Sequence, residues 1–170
     1  TMNNLTFGNK EYQYYETICS GTPAGPNFNG TDAIQVHMTN SRLTDPEILE
    51  ISFPVILRDF HIRRNSGGKG KYKGGDGTYR EILFREDMEL AILSSHRKVK
   101  PHGLNGGQNG KVGKNYIIRK DNFKEMLKGC DYTLVKKGDA IVIETPTPGG
   151  YGKNWILLKK ISISRLINYG

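Results

Sequence analysis

The sequence is poor in the features of a secreted or membrane-spanning chain. Its 170 residues include two cysteines, Cys19 and Cys130, too few for a disulfide framework. No apolar run approaches the roughly 18 residues of a membrane helix. The first thirty residues hold no apolar stretch of the signal-peptide kind. These absences lead to the expectation of a cytoplasmic chain with reduced thiols and no membrane span.

Nucleotide and catalytic signatures are missing as well. Gly110-Lys111-Val112-Gly113-Lys114-Asn115 lacks the hydroxyl and the spacing of a phosphate-binding loop. There is no dinucleotide-binding glycine fingerprint, no Gly-x-Ser-x-Gly, no Cys-x-x-Cys and no His-Glu-x-x-His. Nothing in the chain therefore marks an ATP site. The charge is basic, 25 Lys and Arg against 17 Asp and Glu for a net +8. Acidic residues interrupt most basic runs, so the charge reads as a solvated surface and not as a nucleic-acid stripe. A nucleic-acid-binding β domain is the weakest alternative, and neither nucleic acid nor membrane is expected as a partner.

Glycine is what the chain has in excess: 21 of 170 residues, against a usual share of about 7%. With no collagen period, this predicts many turns and loops. Segments rich in Val, Ile, Leu, Phe and Tyr alternate with the glycines. Val55–Ile62, Tyr79–Phe84, Met88–Ser94, Asn115–Arg119, Tyr132–Val135 and Ala140–Glu144 read as strands. Lys137-Gly138-Asp139 reads as a turn between the last two. Tyr12–Ile18 fits either a strand or the end of a helix. Thr44-Asp45-Pro46-Glu47 predicts a short helix, with Thr44 accepting from the third helical amide and Glu47 reaching back; Pro54 limits its length. The fold class expected is mainly β with few short helices (α+β), with glycine-rich loops between short strands. The alternation in Val55–Ile62 is imperfect, because Arg58, Asp59 and His61 intrude. The last residues, 153–170, form a basic apolar tail, set apart in texture from 1–152.

Three clusters carry polar chemistry. Asp32 to Arg42 packs a carboxylate, an imidazole, an amide and a guanidinium into eleven residues. If the chain stayed extended, His37 and Asn40 would point to opposite faces; an imidazole there suits a base, a metal ligand or a structural hydrogen bond. Asn65 to Thr78 holds six glycines and three lysines in fourteen residues. There, backbone amides at Gly67, Gly68, Gly74 and Gly75, beside Asp76, either converge on an anion or form tight turns between two strands. Arg97 to Asn115 holds His96 and His102 in a third glycine-rich connection. Six-residue spacing in a loop is weak support for a metal pair, so a turn is favoured and no metal set is assigned.

Taken in order, these segments resemble the C-terminal part of the hydantoinase B/5-oxoprolinase family. The resemblance rests on Tyr15-Glu16-Thr17-Ile18 before Gly25-Pro26, and on the run from His37-Met38-Thr39-Asn40-Ser41-Arg42 to Glu50. It continues through Phe53-Pro54-Val55, Ser66-Gly67-Gly68-Lys69-Gly70 and Gly74-Gly75-Asp76-Gly77 with Arg80-Glu81. It closes with Gly103-Leu104, Gly113-Lys114-Asn115, Gly138-Asp139 and Glu144-Thr145-Pro146 with Gly149-Gly150-Tyr151-Gly152. The match covers roughly residues 11–152 and is closest to the eukaryote-like 5-oxoprolinases.

The resemblance implies a hydrolase that uses ATP to open a cyclic amide, 5-oxoproline to glutamate or a hydantoin. It ties that activity to glutathione metabolism. ATP and Mg²⁺ are implied for the whole enzyme and not for this chain alone. The chain reads as a C-terminal fragment or split subunit, inactive by itself. Its implied partners are a hydantoinase A-like part and the remaining hydantoinase B-like part, or its own copies. A noncatalytic assembly module holding an A-like partner is the alternative. His37, Asn40 and Arg42 are the substrate-binding candidates. Arg42 suits a carboxylate such as that of 5-oxoproline, because its fork binds one in bidentate fashion. Pairing of Arg42 with Asp45 or Glu47 stays open.

Overall fold

The computed structural model describes residues 1–36 and 39–153. His37 and most of the tail, including Trp155 to Gly170, lie outside the described residues. Within the described residues, the elements in chain order are β1 (Asn3–Gly8), β2 (Gln13–Thr17), α1 (Pro46–Ser52), β3 (Val55–Ile62), β4 (Thr78–Phe84), β5 (Met88–Ser94), β6 (Lys114–Ile118), β7 (Lys124–Leu127), β8 (Cys130–Val135) and β9 (Ala140–Glu144). They form two antiparallel sheets, β2-β1-β5-β8 and β3-β4-β9-β6-β7. The chain is mainly β, as its sequence pattern indicates.

Alternation decides which face each strand buries. Leu5 and Phe7 of β1, Met88, Leu90 and Ile92 of β5, and Ile82 and Phe84 of β4 all point into one core between the sheets. Phe7 meets Phe84 edge-on at 5.3 Å, joining the two layers. The central strand β9 buries Ala140 to Ile143 without a break. The Tyr12–Ile18 stretch resolves as strand β2. Two strands, β1 and β7, go beyond the six expected.

The helix differs from expectation at its cap. Asp45, not Thr44, is the N-cap, and its Oδ1 accepts from Glu47 N at 2.9 Å. Thr44 is used elsewhere: its Oγ1 lies 2.9 Å from the Tyr14 hydroxyl. The helix ends at Ser52, two residues before Pro54. Glu50 of α1 accepts from the Leu57 amide at 2.9 Å, which satisfies a donor on β3 at the sheet edge.

The uneven pattern of β3 has a cause. Its register with β4 shifts between Leu57 and Asp59, a bulge with Arg58 as the extra residue. After the bulge, Phe60 and Ile62 stand opposite the buried Arg80 and Thr78. Asp59 and His61 stand opposite Glu81 and Tyr79 on the outer face.

The glycines gather at one end, where the loops cross. Gly75 N donates to Thr22 O, Gly68 N to Pro148 O, Gln108 N to Lys69 O and Gly150 N to Gln108 O. Backbones touch directly there. A Cβ on Gly67 would sit 1.9 Å from Gly74 O, and one on Gly75 would sit 2.0 Å from Thr31 O. Side chains are excluded by lack of room.

Candidate functional site

The segment from Gln35 to Asp45 is tied down at several points. Gln35 Nε2 donates to Thr17 O at 2.6 Å. Leu43 packs on the core, Thr44 meets Tyr14, and Asp45 caps the helix. Between these anchors Asn40, Ser41 and Arg42 are exposed and belong to no strand. They line a groove of about 570 Å³ together with Cys19, Phe60, His61 and Thr78. A smaller hollow of about 240 Å³ shares Ile34 and Gln35 with it and reaches His102 and Gly149. No ion pair joins Arg42 to Asp45 or Glu47 among the described residues.

The groove is backed by a buried polar cluster. Arg80 donates through Nε to Glu16 Oε1 at 2.7 Å and through Nη2 to Oε2 at 2.9 Å, and both side chains are buried. The Tyr14 hydroxyl lies 2.9 Å from Glu16 Oε2. Burial, with the Glu16 carboxylate adding to it, pushes that phenol up to about 12. The Arg80 guanidinium sits 5.1 Å from the centre of the Phe60 ring. Phe60 is thus a groove wall resting on an ion pair. Cys19 contributes a neutral thiol, since burial pushes its pKa up, which makes it a poor nucleophile.

The glycine-rich loop does bind an anion, and the anion is its own. Asp76 Oδ1 accepts from the amides of Ser66 at 2.9 Å and Gly67 at 2.8 Å. Its Oδ2 accepts from Asn65 N and from Lys73 Nζ, each at 2.9 Å. Burial alone would raise the Asp76 pKa. The Gly67 amide, Lys73 and the Asn65 amide outweigh it and hold the carboxyl below the usual range. The amides of Gly68, Gly74 and Gly75 donate to Pro148, Gly68 and Thr22 carbonyls, and Asp76 N donates to Asp32 Oδ1 at 2.7 Å. No amide of this set is left for an external phosphate, so the loop does not fit a nucleotide. The carboxylate brought by Asp76 is what the sequence reading did not use.

His96 and His102 serve turns. His96 adopts φ +54° with Nδ1 3.0 Å from Val99 O. Among the described residues no group of three or more His, Cys, Asp and Glu is arranged to hold a metal ion. No described helix is long and apolar enough to cross a membrane.

One pair in the groove escaped the sequence reading. His61 Nδ1 lies 2.9 Å and 3.0 Å from the two oxygens of Asp59, and its ring stacks on Tyr79 at 4.9 Å. The signal was present as Asp-x-His on one strand, which puts both residues on one face. It read as a flaw in an apolar alternation.

Comparison with known proteins places the chain. The profile of the Hydantoinase B/oxoprolinase family matches residues 1–154. The chain is 53% identical over 153 residues to 5-oxoprolinase 1 of Arabidopsis thaliana, covering 90% of this chain and 12% of that protein. It is 49% identical over 153 residues to 5-oxoprolinase of Dictyostelium discoideum, covering 89% of this chain and again 12% of the relative. The fold matches the crystal structure of an ATP-dependent caprolactamase from Pseudomonas jessenii, with a TM-score of 0.72 at 21% identity. That match covers 90% of this chain and 28% of the other. The chain thus spans about an eighth of the length of these 5-oxoprolinases, and it belongs to the hydantoinase B/oxoprolinase family.

Proposed function

We propose that this chain is one part of an ATP-dependent enzyme that opens a cyclic amide, 5-oxoproline to glutamate, and that it contributes the Asn40–Arg42 groove to the substrate site. The observation that carries this reading is Arg42. It is an exposed guanidinium in a groove, without an ion pair to Asp45 or Glu47, on a segment anchored at both ends. A free fork of that kind recognises a carboxylate. Asn40 beside it offers both a donor and an acceptor, the pair that an amide requires. His37 belongs to the same run. ATP and Mg²⁺ belong to the whole enzyme: phosphorylation of the amide oxygen would make its carbon a better electrophile. The residues described here do not fit either group, so this chain's share is to bind and orient the ring.

A second reading is an assembly module without a catalytic role, holding a hydantoinase A-like partner or the remaining B-like part. The outer face of the four-stranded sheet favours it. Tyr15, Leu93, Tyr132 and Leu134 are each more than half exposed there, around a hollow of about 600 Å³. An apolar patch of that kind marks an interface.

One reconstitution separates the readings. The chain is mixed with the A-like and remaining B-like parts, and ATP-dependent glutamate formation is followed. The chain alone is expected to release no phosphate and form no glutamate. The mixture turns over, and Arg42→Lys raises KM about tenfold or more, as expected for loss of a bidentate contact. Assembly with no gain in rate supports the second reading. Turnover by the chain alone overturns both.

A further inference from the structure

The Asp59–His61 pair has a built geometry. The bulge at Leu57/Asp59 turns both residues onto the outer face of β3. The Asp59 carboxylate occupies Nδ1 of His61 with both oxygens, and the Tyr79 ring lies nearly parallel to the imidazole, at 14°. Tyr79 is itself fixed, since its hydroxyl donates to Glu81 Oε2 at 2.8 Å. Arg58 reaches Glu81 at 3.4 Å. The imidazole is therefore held in plane and in tautomer, yet about half of its side chain stays open. It lines the same groove as Asn40 and Arg42. With Nδ1 taken, Nε2 is the nitrogen left for a ligand. A carboxylate on one nitrogen and an open groove for the other is the arrangement of an acid–base imidazole.

We propose that His61 is the proton carrier of this groove, with Asp59 as its positioning residue. The proposal rests on the reading of the groove as a cyclic-amide site. In net, one water adds across one C–N bond. The water oxygen bonds to the amide carbon, and the C–N electron pair stays on nitrogen. Nε2 takes one water proton and delivers it to that nitrogen, while the other proton goes to the new carboxyl group. Asp59 favours the imidazolium formed in between. The groups facing His61 are Asp59 on its own strand, Tyr79 with Glu81 behind it on β4, Arg58 beyond the bulge, and Arg42 from the segment that shares the groove.

The test uses the enzyme assembled from this chain and its remaining parts. His61→Gln is expected to lower kcat by about 10²- to 10⁴-fold with KM within twofold. It should also remove the acid limb of the kcat–pH profile. Asp59→Asn lowers kcat and moves that limb to lower pH, since an imidazolium without its carboxylate loses its proton more readily. Circular dichroism checks folding, and His61→Ala serves as the second variant. If both His61 variants keep kcat within twofold while Arg42→Lys still raises KM, the groove stands and His61 is not the proton carrier. If Arg42→Lys is also silent, the groove reading fails and the proposal falls with it. An unchanged acid limb in Asp59→Asn removes Asp59 from its role.

Discussion

Replacing Asp76 tests the central claim about the glycine-rich loop: that its amides are arranged for a carboxylate of the chain itself. The Asp76 side chain is 2% exposed and takes four donors, three amides and Lys73. In Asp76→Ala, the amides of Ser66 and Gly67 are stranded in buried residues. Each unmet buried donor costs about 1–3 kcal/mol, so the loss comes to about 2–6 kcal/mol. The Asn65 amide and Lys73 reach solvent and add little. Asp76→Asn keeps one acceptor oxygen and loses the charge, which should cost about 2–3 kcal/mol as charged hydrogen bonds fall to neutral ones. Urea unfolding followed by circular dichroism reads this as a lower midpoint at unchanged slope. The sign of the pH effect follows from the depressed pKa. The folded state holds the proton on Asp76 less tightly than the unfolded state does. The stabilisation is therefore complete above the unfolded carboxylate pKa of about 3.9 and fades as pH falls through the lower folded value. Asp76→Asn should flatten that acid limb. It will not abolish it, because Asp139 is also held low: the Lys136 amide and Arg119 outweigh its burial. An Asp76→Ala variant within about 0.5 kcal/mol of the wild type would refute the reasoning, since surface substitutions lie in that range.

Two further outcomes follow from packing. Glu16→Gln leaves the fully buried Arg80 without its counter-charge and should cost about 3–5 kcal/mol, whereas Glu16→Leu combined with Arg80→Met should cost much less than the sum of the single changes; additive costs in a double-mutant cycle would deny the pairing. Gly67→Ala should lower the melting free energy by about 3 kcal/mol or more, because its Cβ would overlap Gly74 O. A gain of about 0.4–1 kcal/mol, the usual result where alanine fits, would show that the loops can part.

What the sequence disclosed depended on how much each residue's role was local. Met88–Ser94 and Ala140–Glu144 are strands to the residue, because apolar residues packed at strand spacing need no distant information. Strand β1 was hidden by Asn3, Asn4 and Gly8, which are poor strand formers, although Leu5 and Phe7 are core residues. Strand β7 is a charged edge, Lys-Glu-Met-Leu, and owes its pairing to β6. The helix cap was placed one residue early because Thr44 and Asp45 both cap well, and only Tyr14, thirty residues away, decides between them. The exposed Asn40–Arg42 run was visible as polar density. The partner of the glycine loop was not, because an amide cluster and the carboxylate ten residues later look like two features until the chain folds back. The bulge that aims Asp59 and His61 depends on pairing with β4 and leaves only a broken alternation in the sequence.

The crossing of glycine loops has a consequence for how such a unit matures in a longer polypeptide. Its hydrogen bonds join residues far apart in the chain: the Ser20 hydroxyl bonds the Pro146 carbonyl across 126 positions, and Tyr72 and Tyr151 exchange both backbone bonds. None of the earlier loops can close on itself without residues 145–152. Contacts of such long range are made late and slowly. The glycine end therefore behaves as a latch thrown by its last strand-and-loop, so that a ribosome must have delivered Gly150 before the loops bearing Gly30, Gly68 and Gly107 settle. Until then those segments are bare backbone, rich in unpaired amides, open to proteases and to one another.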